Sequence, residues 1–94
     1  MKAQNASDAR KLLDIPNIGP AMVRDFESLG IRTQAGLKGR DPYKLYQALC
    51  KKTRSRQDPC VLDTLIAAID FMNGAPARPW FFYTKQRKAK YKDI

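Results

Sequence analysis

Asn17, Ile18, Gly19, Pro20 and Ala21 carry the most chemistry in this chain. Asparagine tolerates left-handed backbone, glycine adopts it freely, and proline suits the first position of a helix, where its missing N–H would have no partner anyway. The run therefore reads as a tight turn feeding a helix, with Ile18 buried to pin it. A helix start leaves main-chain N–H groups unpaired and carries the positive end of the helix dipole, so it favours anions. The chemistry on offer is recognition of an anion by backbone donors.

Groups for catalysis are scarce. The chain has no histidine and two cysteines, Cys50 and Cys60, which do not make a metal-ligand cluster. Both read as half-buried thiols on packed helices, with no reason to be oxidised in a cytoplasmic protein. Cys60, at a helix start and near Arg56, is expected to have a lowered pKa. Asp63 and Asp70 lie seven apart, on one exposed helix stripe, separated by ~10 Å of helix rise and so too far apart to share a metal closely. No enzyme activity, cofactor or metal is expected.

Charge points to the partner. Eighteen basic residues against nine acidic give +9, and the segment from Arg78 to Ile94 holds more than half of that excess. Such a balance speaks of solubility and polyanionic partners. No apolar run approaches the ~20 residues that span a bilayer, and the start, Met1 to Ala6, lacks an apolar signal core. The reading is cytoplasmic, with no membrane contact.

The elements that must position these groups follow from periodicity and punctuation. Ninety-four residues, 44% apolar, suffice for one small domain with a single core. Ser7 is a plausible cap for a first helix carrying Ala9, Leu12 and Leu13, which Pro16 must end. A second helix starts at Pro20, places Met22, Val23, Phe26 and Leu29 on one face, and closes at Gly30 in a left-handed cap. Thr33 caps a short turn over Gln34 to Lys38. Asp41-Pro42 and Asp58-Pro59 each join a capping aspartate to a proline at the first helical position. They open a helix to about Lys52 and another from Cys60 to about Asn73, the latter so apolar that it must be central. Gly74 to Pro79 reads as a linker. Trp80-Phe81-Phe82-Tyr83 follows, then a basic run. Its aromatics can stack on unpaired bases or fold back as a lid, and the lid is the expectation for Trp80 and Phe82. The fold class is all-α, about five helices, with a helical domain over residues 1–77 and an aromatic, basic extension over 78–94. Deleting residues 84–94 is expected to leave the fold intact.

Residues 12–31 resemble the helix-hairpin-helix motif of DNA repair and recombination proteins, through Leu12 and Ile15, the turn Asn17-Ile18-Gly19, Pro20, and the apolar Val23, Phe26, Leu29 and Ile31. Asn17 stands where that motif usually has its first glycine. Ala21 stands where DNA-binding members often carry Lys or Arg, a part that Arg24, one turn on, can take. Over residues 7–92 the chain resembles the small bacterial pathogenicity-locus family, some of whose members are labelled mitomycin-resistance proteins. Ile15-Pro16-Asn17-Ile18-Gly19-Pro20, Leu29-Gly30-Ile31, Arg56-Gln57-Asp58-Pro59-Cys60 and Pro79-Trp80 carry that resemblance. The hairpin is also similar to that of the C-terminal domain of the competence regulator TfoX.

The resemblance implies that the backbone N–H groups of Ile18, Gly19 and Ala21 hold one DNA phosphate. Arg54 and Arg56, in the loop between the last two helices, offer a second phosphate contact, or else an internal network in which Arg56 pairs with a carboxylate. Lys85, Arg87 and Lys88 track an adjacent stretch of backbone. The expected function is DNA binding without sequence specificity, with DNA favoured over RNA. The alternative is a protein-interaction or regulatory module of the TfoX C-terminal type.

Overall fold

The segment before the hairpin is where local preferences compete most. The computed structural model describes residues 2–92. It resolves that segment into two 3-10 turns, Ala6–Asp8 and Leu12–Asp14, in place of the single Ser7-capped helix expected. Asn5, not Ser7, is the first cap, its side-chain oxygen accepting from Asp8 N–H at 3.0 Å. Asp14 reaches back to accept Arg10 N–H at 2.9 Å. With one cap set two residues early and Pro16 blocking continuation, too few residues remain to propagate an α-helix.

From Pro20 the punctuation is local and decisive. Helix α1 (Pro20–Ser28) ends at Gly30, whose φ of +83° lets Ile31 N–H donate back to Phe26 O at 2.9 Å. Thr33 caps the 3-10 turn Gln34–Leu37. Helix α2 (Pro42–Thr53) starts on Asp41, whose carboxylate accepts from Tyr43 N–H and Lys44 N–H. Helix α3 (Pro59–Met72) starts on Asp58, which accepts from Cys60 N–H at 3.0 Å. A fourth 3-10 turn, Trp80–Tyr83, runs into α4 (Thr84–Lys90). Residues 2–92 thus hold four α-helices, four 3-10 turns and no strand. None of the helices is long and apolar enough to cross a membrane.

Helix α3 is the axis of the core, with Leu62, Leu65 to Ile69, Phe71 and Met72 buried. Helix α2 lies along it through Leu45, Tyr46 and Leu49, while Ile15, Ile18, Phe26 and Ile31 bring in the hairpin and α1. The expected domain boundary at residue 77 does not divide the packing. Tyr83 is buried against the common core, α4 docks on α3, and Tyr91 stacks on Tyr43 with ring centroids 4.6 Å apart. Residues 93 and 94 of the expected extension lie outside the described residues.

Candidate functional site

The hairpin is built around one left-handed residue. Asn17 adopts φ +72°, as its residue type allows, while Gly19 sits at φ −104°, a value open to any residue. Ile18 is buried, and its N–H donates to Ile15 O at 3.1 Å to close the turn. That bond removes the Ile18 amide from the expected set of phosphate donors. The N–H groups of Gly19, Ala21 and Met22 have no acceptor among the described residues, the first intrahelical bond being Val23 N–H to Gly19 O at 3.1 Å. Met22 therefore takes the place assigned to Ile18. A Cβ built on Gly19 meets nothing within 4 Å, so this position opens directly onto solvent. The first turn of α1 carries no acidic residue, and Arg24 is exposed one turn on. Asp25, partly buried beside Arg24, has its pKa raised by desolvation.

Two contacts invisible in the sequence hold the hairpin in place. The Lys2 ammonium donates to both Leu13 O and Ile18 O across the turn, and its burial lowers its pKa. The Asn17 side chain is engaged by the segment that begins at Arg78. Its Nδ2 donates to Arg78 O at 2.7 Å and its Oδ1 accepts from Trp80 N–H at 3.2 Å. Asn17 is therefore a latch between the hairpin and the aromatic run, not a phosphate ligand through its side chain. Lys2 and Arg78 had no sequence signal, because their partners lie far along the chain.

The aromatic run is inverted relative to expectation. Trp80 and Phe82 were expected as the lid, yet Tyr83 is the buried ring, while Trp80, Phe81 and Phe82 remain 39%, 63% and 54% exposed. A 3-10 turn eclipses side chains three apart, so Trp80 lies on the same side as Tyr83, and it is the least exposed of the other three rings. The Arg78 guanidinium lies 4.6 Å from the Phe82 ring centroid, and Trp80 meets Phe81 edge to face at 5.8 Å.

The basic residues divide. Lys85 and Lys88 are exposed on α4 as expected. Arg87 is not available to a phosphate. It points into the core and its Nε donates to Asp63 Oδ1 at 2.9 Å, while Thr84 Oγ1 donates to Asp63 Oδ2 at 2.7 Å. Asp63, expected on an exposed stripe with Asp70, is fully buried for this pairing. Arg54 takes a left-handed conformation at the end of α2, and both Arg54 and Arg56 are exposed. Cys60 behaves opposite to expectation: hydrogen bonding to the Asp58 carboxylate, then burial, raises its pKa. Among the described residues no three His, Cys, Asp or Glu side chains cluster as a metal site.

The structure thus joins what the sequence left separate. The run from Trp80 to Lys90 starts at the hairpin, through Asn17, and reaches the beginning of α3, through Asp63. It spans roughly 18 Å by helix rise. Arg54 and Arg56 lie in the loop leading into that end of α3.

Comparison with known proteins places these features in one family. The model of the pathogenicity locus family matches residues 5–89, which take in the hairpin, the Asp58 loop, the aromatic run and most of α4. The chain is similar to the mitomycin resistance protein McrB of Streptomyces lavendulae, 43% identical over 83 residues, covering 88% of this chain and 79% of that protein. No solved structure matches the chain significantly.

Proposed function

The chain belongs to the pathogenicity locus family, and from that premise we propose that it binds DNA without sequence specificity through a helix-hairpin-helix turn. The observation that carries this reading is the set of three unpaired amides, Gly19, Ala21 and Met22, at the solvent-open start of α1. Such donors, at the positive end of a helix, suit one phosphate. Arg24, Arg54, Arg56, Lys85 and Lys88 supply exposed positive charge for further phosphates, and the chain as a whole carries +9. Contacts of this kind address the backbone and carry no base readout, hence no sequence preference.

The test is fluorescence anisotropy with a labelled duplex, on the wild type and on Ala21→Glu. A carboxylate in the first turn of α1 favours the helix dipole, so the variant folds at least as well. The same carboxylate occupies the anion site and repels phosphate, so duplex affinity falls by about 5-fold or more. Unchanged affinity in a folded Ala21→Glu variant removes the hairpin from the interface.

A further inference from the structure

We propose that Trp80 and Phe81 form a stacking platform for unpaired bases, so that the protein prefers single-stranded DNA to duplex. This rests on the nucleic-acid reading above and names the form of nucleic acid. Packing in the core accounts for Tyr83; it does not explain why the three exposed positions before it carry large apolar rings. Rings left on the surface cost solubility unless something covers them.

The surroundings say what covers them. Every charged residue from Trp80 to Lys92 is basic, so an occupant of this face is a polyanion. Lys85 and Lys88 follow in α4, both exposed and three positions apart, the spacing at which side chains share a helix face. The exposed rings therefore run directly into a helix face with two ammonium groups, offering a π surface and then phosphate contacts. Single-stranded DNA presents both partners, bases with free faces and a charged backbone, whereas a duplex hides its base faces. Phe82 is less suited, since the Arg78 guanidinium already covers one side of its ring.

The platform is held in advance of binding. Trp80 N–H is tied to Asn17, Phe82 N–H donates to Pro79 O at 3.0 Å, and Tyr83 anchors the far end in the core. Trp80 and Phe81 stand edge to face at 86°, so one face is taken by their own contact and the remaining faces are turned in different directions. Asn17 ties the platform to the same turn that carries the free amides.

Trp80 is the sole tryptophan of the chain, so its fluorescence reports stacking directly. The experiment titrates the full chain with oligothymidylate and with a duplex of equal length, following Trp80 emission and the anisotropy of labelled DNA. The expected result is quenching and tighter binding with the single strand. Phe81→Ala lowers single-strand affinity by roughly 5- to 100-fold, the range for loss of one stacked base, and leaves duplex affinity unchanged. Phe81→Tyr, which keeps the π face, restores it. Phe81 is exposed, so neither variant disturbs the core, and circular dichroism checks this. Duplex binding with no single-strand preference and no quenching overturns the platform while leaving the hairpin reading intact. Binding of neither form overturns both. Self-association that is abolished by Phe81→Ala, with single-strand affinity unmoved, assigns the rings to a second copy of this chain and overturns the proposal.

Discussion

Asp63 is held by two side chains of the last helix at once. Its carboxylate is fully buried, and both oxygens are satisfied, one by Arg87 and one by Thr84. A buried pair of this kind adds little over an apolar substitute, but removing one member strands the other charge at a cost of about 3–5 kcal/mol. Arg87→Met is therefore expected to lose about that much in urea unfolding, and Arg87→Met with Asp63→Leu to recover most of it. A loss under ~1 kcal/mol in the single variant would show that the pair is solvated. The pairing was not legible in the sequence, where helical spacing put Asp63 on a stripe with Asp70 and its partner lies 24 positions away. One clue was present: Arg87 interrupts a run of lysines, and a planar guanidinium suits buried carboxylate pairing better than an ammonium does.

At the level of elements, what could be read was what is decided within a few residues. Asp41-Pro42 and Asp58-Pro59 each place a cap and a first helical residue side by side, and α2 and α3 start there as expected. The stretch from Asn5 to Asp14 is not decided this way, because several short polar side chains compete for the same amides, and sequence alone does not rank them. The Asp58 cap has a pH signature. Hydrogen bonding to Cys60 N–H lowers its pKa below the ordinary aspartate value. The ionised cap contributes stability that is fully present above the unfolded pKa of about 3.9 and is lost as pH falls through the depressed folded value. Asp58→Asn keeps a capping oxygen but cannot titrate, so urea midpoints compared at about pH 7 and about pH 3 should fall less for the variant than for the wild type. Equal falls would place the acid sensitivity elsewhere, with Asp14 the next carboxylate whose pKa is lowered by a backbone N–H, that of Arg10. The hairpin admits a separate test. Asn17→Gly keeps the left-handed turn but deletes both hydrogen bonds of the latch. Hydrogen exchange at Trp80 N–H should accelerate while the amides within α3 keep their protection. An unchanged Trp80 rate would mean that Tyr83 alone holds the aromatic run.

For the whole molecule, the consequential difference lies in the last helix. Composition alone makes residues 84–92 look like a solvated basic tail that the fold does not need. Their packing gives the opposite expectation, because α4 supplies the Arg87 that neutralises Asp63, and Tyr91 covers Tyr43. Deleting residues 84–94 leaves a buried carboxylate without a counter-charge, at about 3–5 kcal/mol. A domain of this size has only about 5–14 kcal/mol in all, at roughly 0.05–0.15 kcal/mol per residue. The truncated chain should therefore melt far below the full chain by circular dichroism, and loss of DNA binding on truncation would say nothing about phosphate contacts. Charge has to be removed without touching the core. Lys85→Gln with Lys88→Gln alters only exposed side chains, whose replacement is usually worth within ~0.5 kcal/mol. If both ammonium groups rest on phosphates, duplex affinity at low salt falls, and the slope of log K against log salt becomes shallower by about 1.8, at ~0.9 per contact. An unchanged slope in a variant that melts like the wild type would take α4 out of the interface. The hairpin amides, Arg24 and the Arg54–Arg56 loop would then have to carry duplex binding by themselves.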